Sequence, residues 1–193
     1  MNQNKIILVD TEGKEAAKSV LIIAFSSDPW TRWWWPEPQV YLKNMTLFMN
    51  EFLAVSIPAK GTYAVEDGSG ASVWLPPGHR VEDRVLAPAV FEIPELRQEH
   101  AFKMFELFRQ SHPEEDHWYL PWIGVDPVLH GRGLGSSMLK EVLRLVDEQG
   151  KVAHLESSNP QNMSLYERHG FEVVGRMQEG DSPPVHPMTR QPR

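Results

Sequence analysis

Hydrophobic residues in the N-terminal half follow two periods, one typical of strands and one typical of helices. Short apolar runs bounded by turn-forming residues predict strands at residues 5–9, 61–67 and 71–78. Apolar residues that recur every three or four positions predict helices at about 15–25, 39–52 and 95–110. The tryptophan-rich segment 27–38 and the segment 79–94 match neither period, so both are predicted to be irregular.

The C-terminal half predicts a strand, a glycine-rich loop, a helix and a second strand in succession. The first strand ends at Val125, the helix ends at Gly150, and the strand "KVAHLES" follows. Such a unit predicts two parallel strands joined by a right-handed crossover. A short helix ending at Gly170 and the strand candidates "FEVVGRM" and "VHPMTR" complete the chain. This order predicts a single α/β domain, in which a twisted mixed sheet is flanked by helices on both faces.

Composition limits the classes of partner. The chain has 193 residues, no cysteine and a formal net charge of -7, so we expect no disulfide, no cysteine nucleophile and no nucleic-acid partner. The N-terminus lacks a signal-peptide pattern, and the longest apolar run, "VLIIAF", is far too short to span a bilayer. We therefore expect a cytoplasmic protein without a membrane partner. The eight histidines are scattered without ligand spacing, which predicts no metal.

Three glycines at alternate positions, from Gly131 to Gly135, directly precede a helix. Such a loop lets backbone N–H groups converge on a phosphate, and the positive end of the helix dipole faces the same point. A Walker A loop is excluded because its lysine is missing. A Rossmann fingerprint needs a third glycine where Ser136 stands, and too few residues follow for a second nucleotide-binding half, although Glu156 lies at a suitable distance for the acidic residue.

The loop "HGRGLG" resembles the coenzyme A pyrophosphate loop of GNAT-type N-acetyltransferases, with His130 where the family usually has glutamine or arginine. Downstream, Asn159 and Tyr166 precede "GF" as an asparagine and a tyrosine do in that family. The segments "LES", "YERHGF" and "PMTRQPR" are similar in particular to the puromycin-acetyltransferase-like branch, which also has an asparagine where Asn162 stands. The close match covers residues 118–193.

The resemblance implies a GNAT-like domain over residues 1–193 whose central strands are splayed. Residues 1–117 would form the acceptor-side half, and residues 118–193 would form the coenzyme A-binding half. Backbone groups of the splayed strand would pair with the pantetheine arm, and the loop would hold the pyrophosphate. The predicted cofactor-binding residues are Ile123, Gly124, Val125, His130, Gly131, Arg132, Gly133, Leu134, Gly135, Ser136, Asn159 and Asn162.

The resemblance also implies direct transfer of acetyl from coenzyme A to an amine, with Tyr166 protonating the departing thiolate. Glu156 is the predicted base that deprotonates the amine, and His154 and His117 are the lesser candidates. For a weakly basic acceptor such as an arylamine, no base would be needed. Each role has a structural alternative: Tyr166 could be a core residue, and Glu156 could be a salt-bridged carboxylate.

The aromatic cluster Trp33, Trp34 and Trp35 is the other candidate for contact with substrate. In a GNAT-like fold this segment borders the acceptor site, where indole rings could receive a cation. The same side chains could instead fasten their segment to the core. Asn159 and Asn162 could likewise be turn or capping residues.

The predicted function is acetyl-CoA-dependent N-acetylation of a primary amine on a small molecule, through a ternary complex, by a monomer or a homodimer. One alternative is a non-catalytic acetyl-CoA-binding sensor or interaction module. A protein or peptide N-acetyltransferase is a further alternative. Retention of Tyr166 favours the enzyme over the sensor.

Overall fold

A computed structural model describes residues 5–193. The helices are α1 (Lys14–Ala24), α2 (Pro29–Trp34), α3 (Pro38–Ser56), α4 (Asp83–Val90), α5 (Glu95–Ser111), α6 (Leu134–Glu148) and α7 (Pro160–Arg168). The strands are β1 (Ile6–Leu8), β2 (Thr62–Val65), β3 (Gly70–Leu75), β4 (His117–Val125), β5 (Val152–Ser157), β6 (Glu172–Val173) and β7 (His186–Arg190). A 3-10 turn at Pro127–Leu129 follows β4.

These strands form one sheet in the order β1-β2-β3-β4-β5-β7-β6. Neighbouring strands are antiparallel except β4 and β5, which are parallel because α6 carries the chain back between them. In the described residues, the pairing of β4 with β5 covers His117 to Tyr119, although β4 continues to Val125. The central strands are therefore splayed, and the predicted α/β fold with a mixed sheet is confirmed.

The splay begins beside a β-bulge that contains Pro121. On β3, Val73 pairs with Trp122 and Leu75 pairs with Tyr119, so β4 has one extra residue between these two pairs. Proline has no N–H group to give to a ladder, and a bulge bends the strand that carries it. Both effects act on β4 at the point where its pairing with β5 ends.

Helices cover both faces of the sheet, as expected. On one face, α6 buries Leu139, Val142 and Val146 against β4 and β5. The opposite face carries a larger core to which α1 through α5 contribute, with Met45 and Leu53 of α3 fully buried in it. Along the chain from Lys5 to Arg193, no helix combines the length and the apolar character that a membrane crossing requires.

Three predicted segments were wrong. The tryptophan-rich segment contains helix α2: Pro29 takes its first position, and the Asp28 carboxylate caps it by accepting a hydrogen bond from the Thr31 N–H at 2.9 Å. Helix α4 forms in the segment 79–94 despite Pro88, because its apolar face is buried in the core. The strand expected over "FEVVGRM" is reduced to the two residues of β6.

An ion pair fastens the last strand to α6. The Arg190 guanidinium donates two hydrogen bonds to the Asp147 carboxylate, at 2.7 and 2.8 Å, and a third to the His169 carbonyl at 2.8 Å. The hydrogen bonds from Arg190 lower the pKa of Asp147. Because Arg190 is buried, removal of Asp147 would leave its charge without a partner.

We expect Asp147→Ala to lower the free energy of unfolding by about 2–4 kcal/mol. Glu148→Ala, which removes an exposed partner of Arg144 on the same helix, should cost less than about 1 kcal/mol. The folded pKa of Asp147 is depressed, so its stabilisation is present above the unfolded value of about 3.9 and is lost as the pH falls through the folded value. Urea unfolding at pH 7 and pH 3 tests this, and equal costs for the two variants at pH 7 would contradict it.

Candidate active site

A cleft of about 1160 Å³ opens where β4 and β5 diverge. Helices α2, α3 and α5 line it on the side of the larger core, and β4, β5 and α7 supply the rest of its wall. Four predicted site residues border the cleft: Ile123 and Asn162 from the cofactor-binding set, and Tyr166 and Glu156, which were predicted to be catalytic. The cleft thus brings together residues from both halves of the chain.

The glycine loop lies between β4 and α6. Gly131 and Gly133 have φ angles of 77° and 79°, in the left-handed region that favours glycine, and Gly133 is the N-cap of α6. The first backbone hydrogen bond of α6 runs from the Ser137 N–H to the Gly133 carbonyl, at 3.0 Å. The N–H groups of the preceding turn are therefore available to an anion, and the helix dipole favours negative charge there.

Other predicted loop residues have mainly structural contacts. His130 Nε2 lies 3.1 Å from the Val125 carbonyl oxygen, so its ring fastens the loop to the end of β4. Leu134 is buried, and Gly135 packs closely on α7, where a Cβ would come within 3.3 Å of a leucine methyl group. Arg132 is exposed. The loop therefore offers a ligand its backbone and, in addition, the Arg132 side chain.

Helix α7 carries three predicted site residues. The Asn159 side chain is the N-cap and accepts a backbone hydrogen bond from the first turn of α7 at 3.0 Å, whereas Asn162 is exposed at the cleft. Tyr166 is 7% exposed and also borders the cleft. A hydrogen bond of 2.8 Å between Ser136 and His169 ties the end of α7 to the start of α6. Helix α7, which carries the candidate tyrosine, is thereby held against the start of α6.

Asp28 is a site residue that sequence reasoning missed. It borders the cleft, and its carboxylate accepts hydrogen bonds from the Ser158 hydroxyl at 2.6 Å and from the Thr31 N–H. Burial raises the pKa of Asp28, against the effect of these hydrogen bonds. Burial, together with the charge of Asp28, raises the pKa of Tyr166 well above its usual value, so the phenol stays protonated at neutral pH.

Glu156 lies in a cluster of polar residues from three elements. Its Oε1 is 3.2 Å from His154 Nε2 on β5, 3.4 Å from His112 Nε2 just after α5, and 3.3 Å from the Ser111 hydroxyl. Burial favours a higher pKa for Glu156, but its bonds to His112 and His154 outweigh this and lower the pKa to about 2. Burial and the Glu156 charge raise the pKa of Tyr119, the fourth neighbour.

His117, a lesser candidate for the base, extends this cluster toward solvent. Its Nε2 lies 2.9 Å from His112 Nδ1, and its Nδ1 lies 2.8 Å from the Glu115 carbonyl oxygen. Sequence reasoning found His117, His154 and Glu156 through the strands, but missed His112 and Tyr119. Only the alternation "HWY" on β4 could have indicated Tyr119, whereas nothing local distinguishes His112.

The structure separates the three tryptophans that were predicted to bind substrate. Trp35 is fully buried and its indole N–H donates to a backbone carbonyl of α4 at 3.0 Å. Trp33 packs beneath the Arg97 guanidinium, which lies 5.4 Å from its ring centroid. Neither borders the cleft, whereas Trp34 does, together with Trp30, which was not predicted. All four rings therefore belong to the core, and those of Trp30 and Trp34 also border the cleft.

Comparison with known proteins identifies the fold. Residues 95–171 match the model of the "Acetyltransferase (GNAT) family", a range that contains the glycine loop, Glu156 and Tyr166. An uncharacterized N-acetyltransferase of Schizosaccharomyces pombe is 24% identical over 95% of this chain and 82% of its own length. Residues 95–171 of the chain therefore resemble the GNAT acetyltransferase family.

Solved structures agree with a GNAT fold over nearly the whole chain. A histone acetyltransferase HPA2 and related acetyltransferase from Corynebacterium glutamicum superimposes with a TM-score of 0.70 at 20% identity, covering 98% of this chain and 96% of its own. Arylalkylamine N-acetyltransferase 2 from Aedes aegypti gives a TM-score of 0.67 at 12% identity, covering 100% of both chains. At such identities the likeness establishes the fold alone.

The splayed strand of this GNAT-like domain is packed tightly on α1 at Gly124. A Cβ on Gly124 would lie 2.6 Å from the Ala24 Cβ, closer than real carbon atoms approach. The absence of a side chain therefore lets α1 lie directly on β4 behind the cleft. Glycine is therefore required at position 124 for packing, in addition to its predicted contact with the cofactor.

We expect Gly124→Ala to lower the free energy of unfolding by about 1–3 kcal/mol, because the added methyl group overpacks the α1–β4 contact. The double variant Gly124→Ala with Ala24→Gly should recover part of this loss, despite the intrinsic cost of glycine in a helix, about 1 kcal/mol. Denaturant unfolding of the two single variants and the double variant measures the coupling. If the losses of the two single variants simply add in the double variant, contact between the new methyl group and Ala24 is not the cause of the destabilisation.

Proposed function

We propose that this GNAT-like protein is an acetyl-CoA-dependent N-acetyltransferase that acetylates a primary amine on a small molecule. The observation that carries the proposal is that the free edge of β4 and Tyr166 border one cleft, while the glycine loop joins the end of that same strand to α6. The fold family uses acetyl-CoA as cosubstrate. In this chain, unpaired backbone groups and the open space around them would hold that molecule.

Two features of the chain support a coenzyme A site. The N–H groups at the start of α6 form an anion site suited to the pyrophosphate, and at Gly131 and Gly133 a Cβ would meet no atom within 4 Å, so a ligand can approach the loop closely. The backbone of residues 120–125 has no β5 partner, so its hydrogen-bonding groups can pair with the amides of the pantetheine arm.

The chemistry is direct attack of the amine nitrogen on the acetyl carbonyl carbon. A C–N bond forms, the C–S bond breaks, and the thiolate takes a proton from the Tyr166 hydroxyl. Burial keeps that hydroxyl protonated until transfer. The absence of cysteine agrees with a route that has no acyl-enzyme on a thiol. Loss of a positioned proton donor typically costs about 10²–10⁴-fold in rate.

The acceptor must arrive as a neutral amine. For an amine with a pKa of about 10.4, deprotonation at pH 7 costs about 4.6 kcal/mol, which favours a nearby proton acceptor. Glu156 is our candidate because it is buried at the cleft and bonded to two histidines. Its low pKa keeps the carboxylate ionised, so it would bind the ammonium group, and an unprotonated ring nitrogen of His112 or His154 beside it would accept the proton.

Aromatic side chains favour an acceptor with an apolar or aromatic body. Trp30 and Trp34 from α2 face Phe105 and Phe108 from α5 in stacked or edge-on contacts, and these rings border the cleft. Such a wall also attracts an ammonium group through cation–π contact. The arylalkylamine enzyme among the similar folds agrees with this class. The resemblance to the puromycin-acetyltransferase-like branch points the same way, toward a bulky amine.

The sensor alternative is less well supported. A sensor would need the coenzyme A loop, but it would leave the presence of Tyr166 and of a polar cluster at the cleft unexplained. A peptide substrate is less well supported because α2 and α5 narrow the acceptor side with aromatic rings. An amine screen separates these alternatives. Acetyl-CoA binding without thiol release for any amine would favour the sensor, and turnover confined to lysine peptides would favour the protein acetyltransferase.

We expect Tyr166→Phe to bind acetyl-CoA with a dissociation constant within about threefold of wild type, while kcat falls by about 10²-fold or more. Titration calorimetry measures binding, and thiol release with phenethylamine, tryptamine, agmatine and a lysine peptide measures transfer. Tyr63→Phe removes a hydroxyl from the same core cluster but away from the cleft, so both quantities should stay unchanged. Absence of acetyl-CoA binding by wild type, or an unchanged kcat in Tyr166→Phe, would overturn the proposal.

A further inference from the structure

We propose that the cleft contains a binding site for a divalent transition metal ion, with Zn²⁺ as the reference ion, formed by His112 Nε2, His154 Nε2 and Glu156 Oε1. One ligand atom from each of these residues lies within 4.8 Å of the other two, and Glu156 Oε1 is 3.4 Å from His112 Nε2 and 3.2 Å from His154 Nε2. Sequence spacing alone could not have added His112 to the other two, because His112 precedes β4 whereas His154 and Glu156 lie together on β5. This proposal departs from the expectation, drawn from the sequence, that the chain has no metal site.

The first argument is the direction of the hydrogen bonds around His112. The Glu115 carbonyl oxygen can only accept, so His117 Nδ1 carries a proton and donates to it, at 2.8 Å. In neutral His117, Nε2 then accepts from His112 Nδ1, at 2.9 Å. In this tautomer His112 Nε2 carries no proton, and its lone pair faces the carboxylate oxygen of Glu156 at 3.4 Å. In this arrangement His112 Nε2 and Glu156 Oε1 both present electron pairs to the space between them, so one cation can be coordinated by both atoms.

The second argument is distance. Charge-assisted N–H···O hydrogen bonds between a cation and a carboxylate are about 2.7–2.9 Å long. The contacts of Glu156 Oε1 with His154 Nε2 and His112 Nε2 are longer, at 3.2 and 3.4 Å. A tetrahedral Zn²⁺ with bonds of about 2.0–2.2 Å places neighbouring donor atoms about 3.3–3.6 Å apart. The spacing therefore suits a shared metal ion better than a shared proton.

The third argument is the set of contacts behind the donors. His154 Nδ1 lies 3.2 Å from the Thr189 hydroxyl, which can hold the ring with Nε2 toward Glu156, as His117 holds the ring of His112. Hydrogen bonds to the ring nitrogen that does not bind the metal fix the orientation of histidine ligands. Two imidazoles and one carboxylate form a set typical of Zn²⁺, with a fourth position for water or a substrate atom. Here that position would open to the cleft that Glu156 borders.

One consequence rests on the proposed function. The metal ion would occupy Glu156 Oε1 and both histidine nitrogens, which are the groups proposed to bind the ammonium and to release its proton. Zn²⁺ and a productive amine would therefore exclude each other, and Zn²⁺ would inhibit acetyl transfer reversibly. Binding of the ion itself does not depend on this consequence.

The test is titration of Zn²⁺ into chelator-treated full-length protein, followed by competition with a chromophoric chelator. We expect one ion per chain with a dissociation constant in the micromolar range or below. His112→Ala and Glu156→Gln should each weaken binding by at least about 100-fold, since loss of a hydrogen bond behind a ligand alone typically costs about 10–100-fold. His79→Ala removes an exposed histidine at the cleft rim that lacks these partners, so it should bind like wild type.

Co²⁺ absorption adds a structural readout, because a low-symmetry, four- or five-coordinate ion absorbs far more strongly than the aqueous ion. Circular dichroism of each variant separates loss of ligands from loss of fold. Binding weaker than millimolar in wild type, or binding that survives both His112→Ala and Glu156→Gln, would overturn the metal site. Tight binding with no effect on acetyl transfer would retain the site and remove Glu156 from the proposed mechanism. Absence of transfer in metal-free protein would instead count against the proposed function.

Discussion

The separation of β4 from β5 after Tyr119 is the constraint on which the rest of the site depends. The extra residue on β4 around Pro121 bends the strand and removes an N–H group where the ladder would otherwise continue. The gap leaves backbone groups of β4 unpaired, which costs free energy unless water or a ligand satisfies them. It also opens the cleft between the two hydrophobic cores. A sheet with continuous pairing would leave no place for two substrates to meet.

The walls of this gap are fixed by contacts that cross between the halves of the chain. The hydrogen bond from Ser158 to Asp28 joins the turn after β5 to the start of α2. The cluster around Glu156 joins β5 to the end of α5 through His112. Polar groups at the cleft are thus held from both sides, which limits their motion. In a buried setting, such fixed charges interact more strongly with a substrate than they would in water.

Much of the fold could be predicted from sequence because its strongest patterns are local. The apolar run that ends at Val125 predicted β4, the closely spaced glycines predicted the loop, and Gly150 and Gly170 marked the ends of α6 and α7 within a few residues. Helix α2 was missed because its tryptophans obscured the Asp28–Pro29 start signal, and α4 was missed because of Pro88. The site was predicted only in part, because local patterns indicate some of its residues and tertiary packing alone brings in the others.

Glu156 and Tyr166 follow local motifs, whereas Asp28 and His112 reach the cleft only through tertiary packing. The roles assigned to the glycine loop and to the free edge of β4 can be tested together by amide hydrogen exchange with and without acetyl-CoA. Slower exchange at amides within 120–125 and 131–136, with little change in β1 and β2, is the result expected if the cosubstrate pairs with β4 and the loop. Unchanged exchange in both segments under saturating acetyl-CoA would contradict the account.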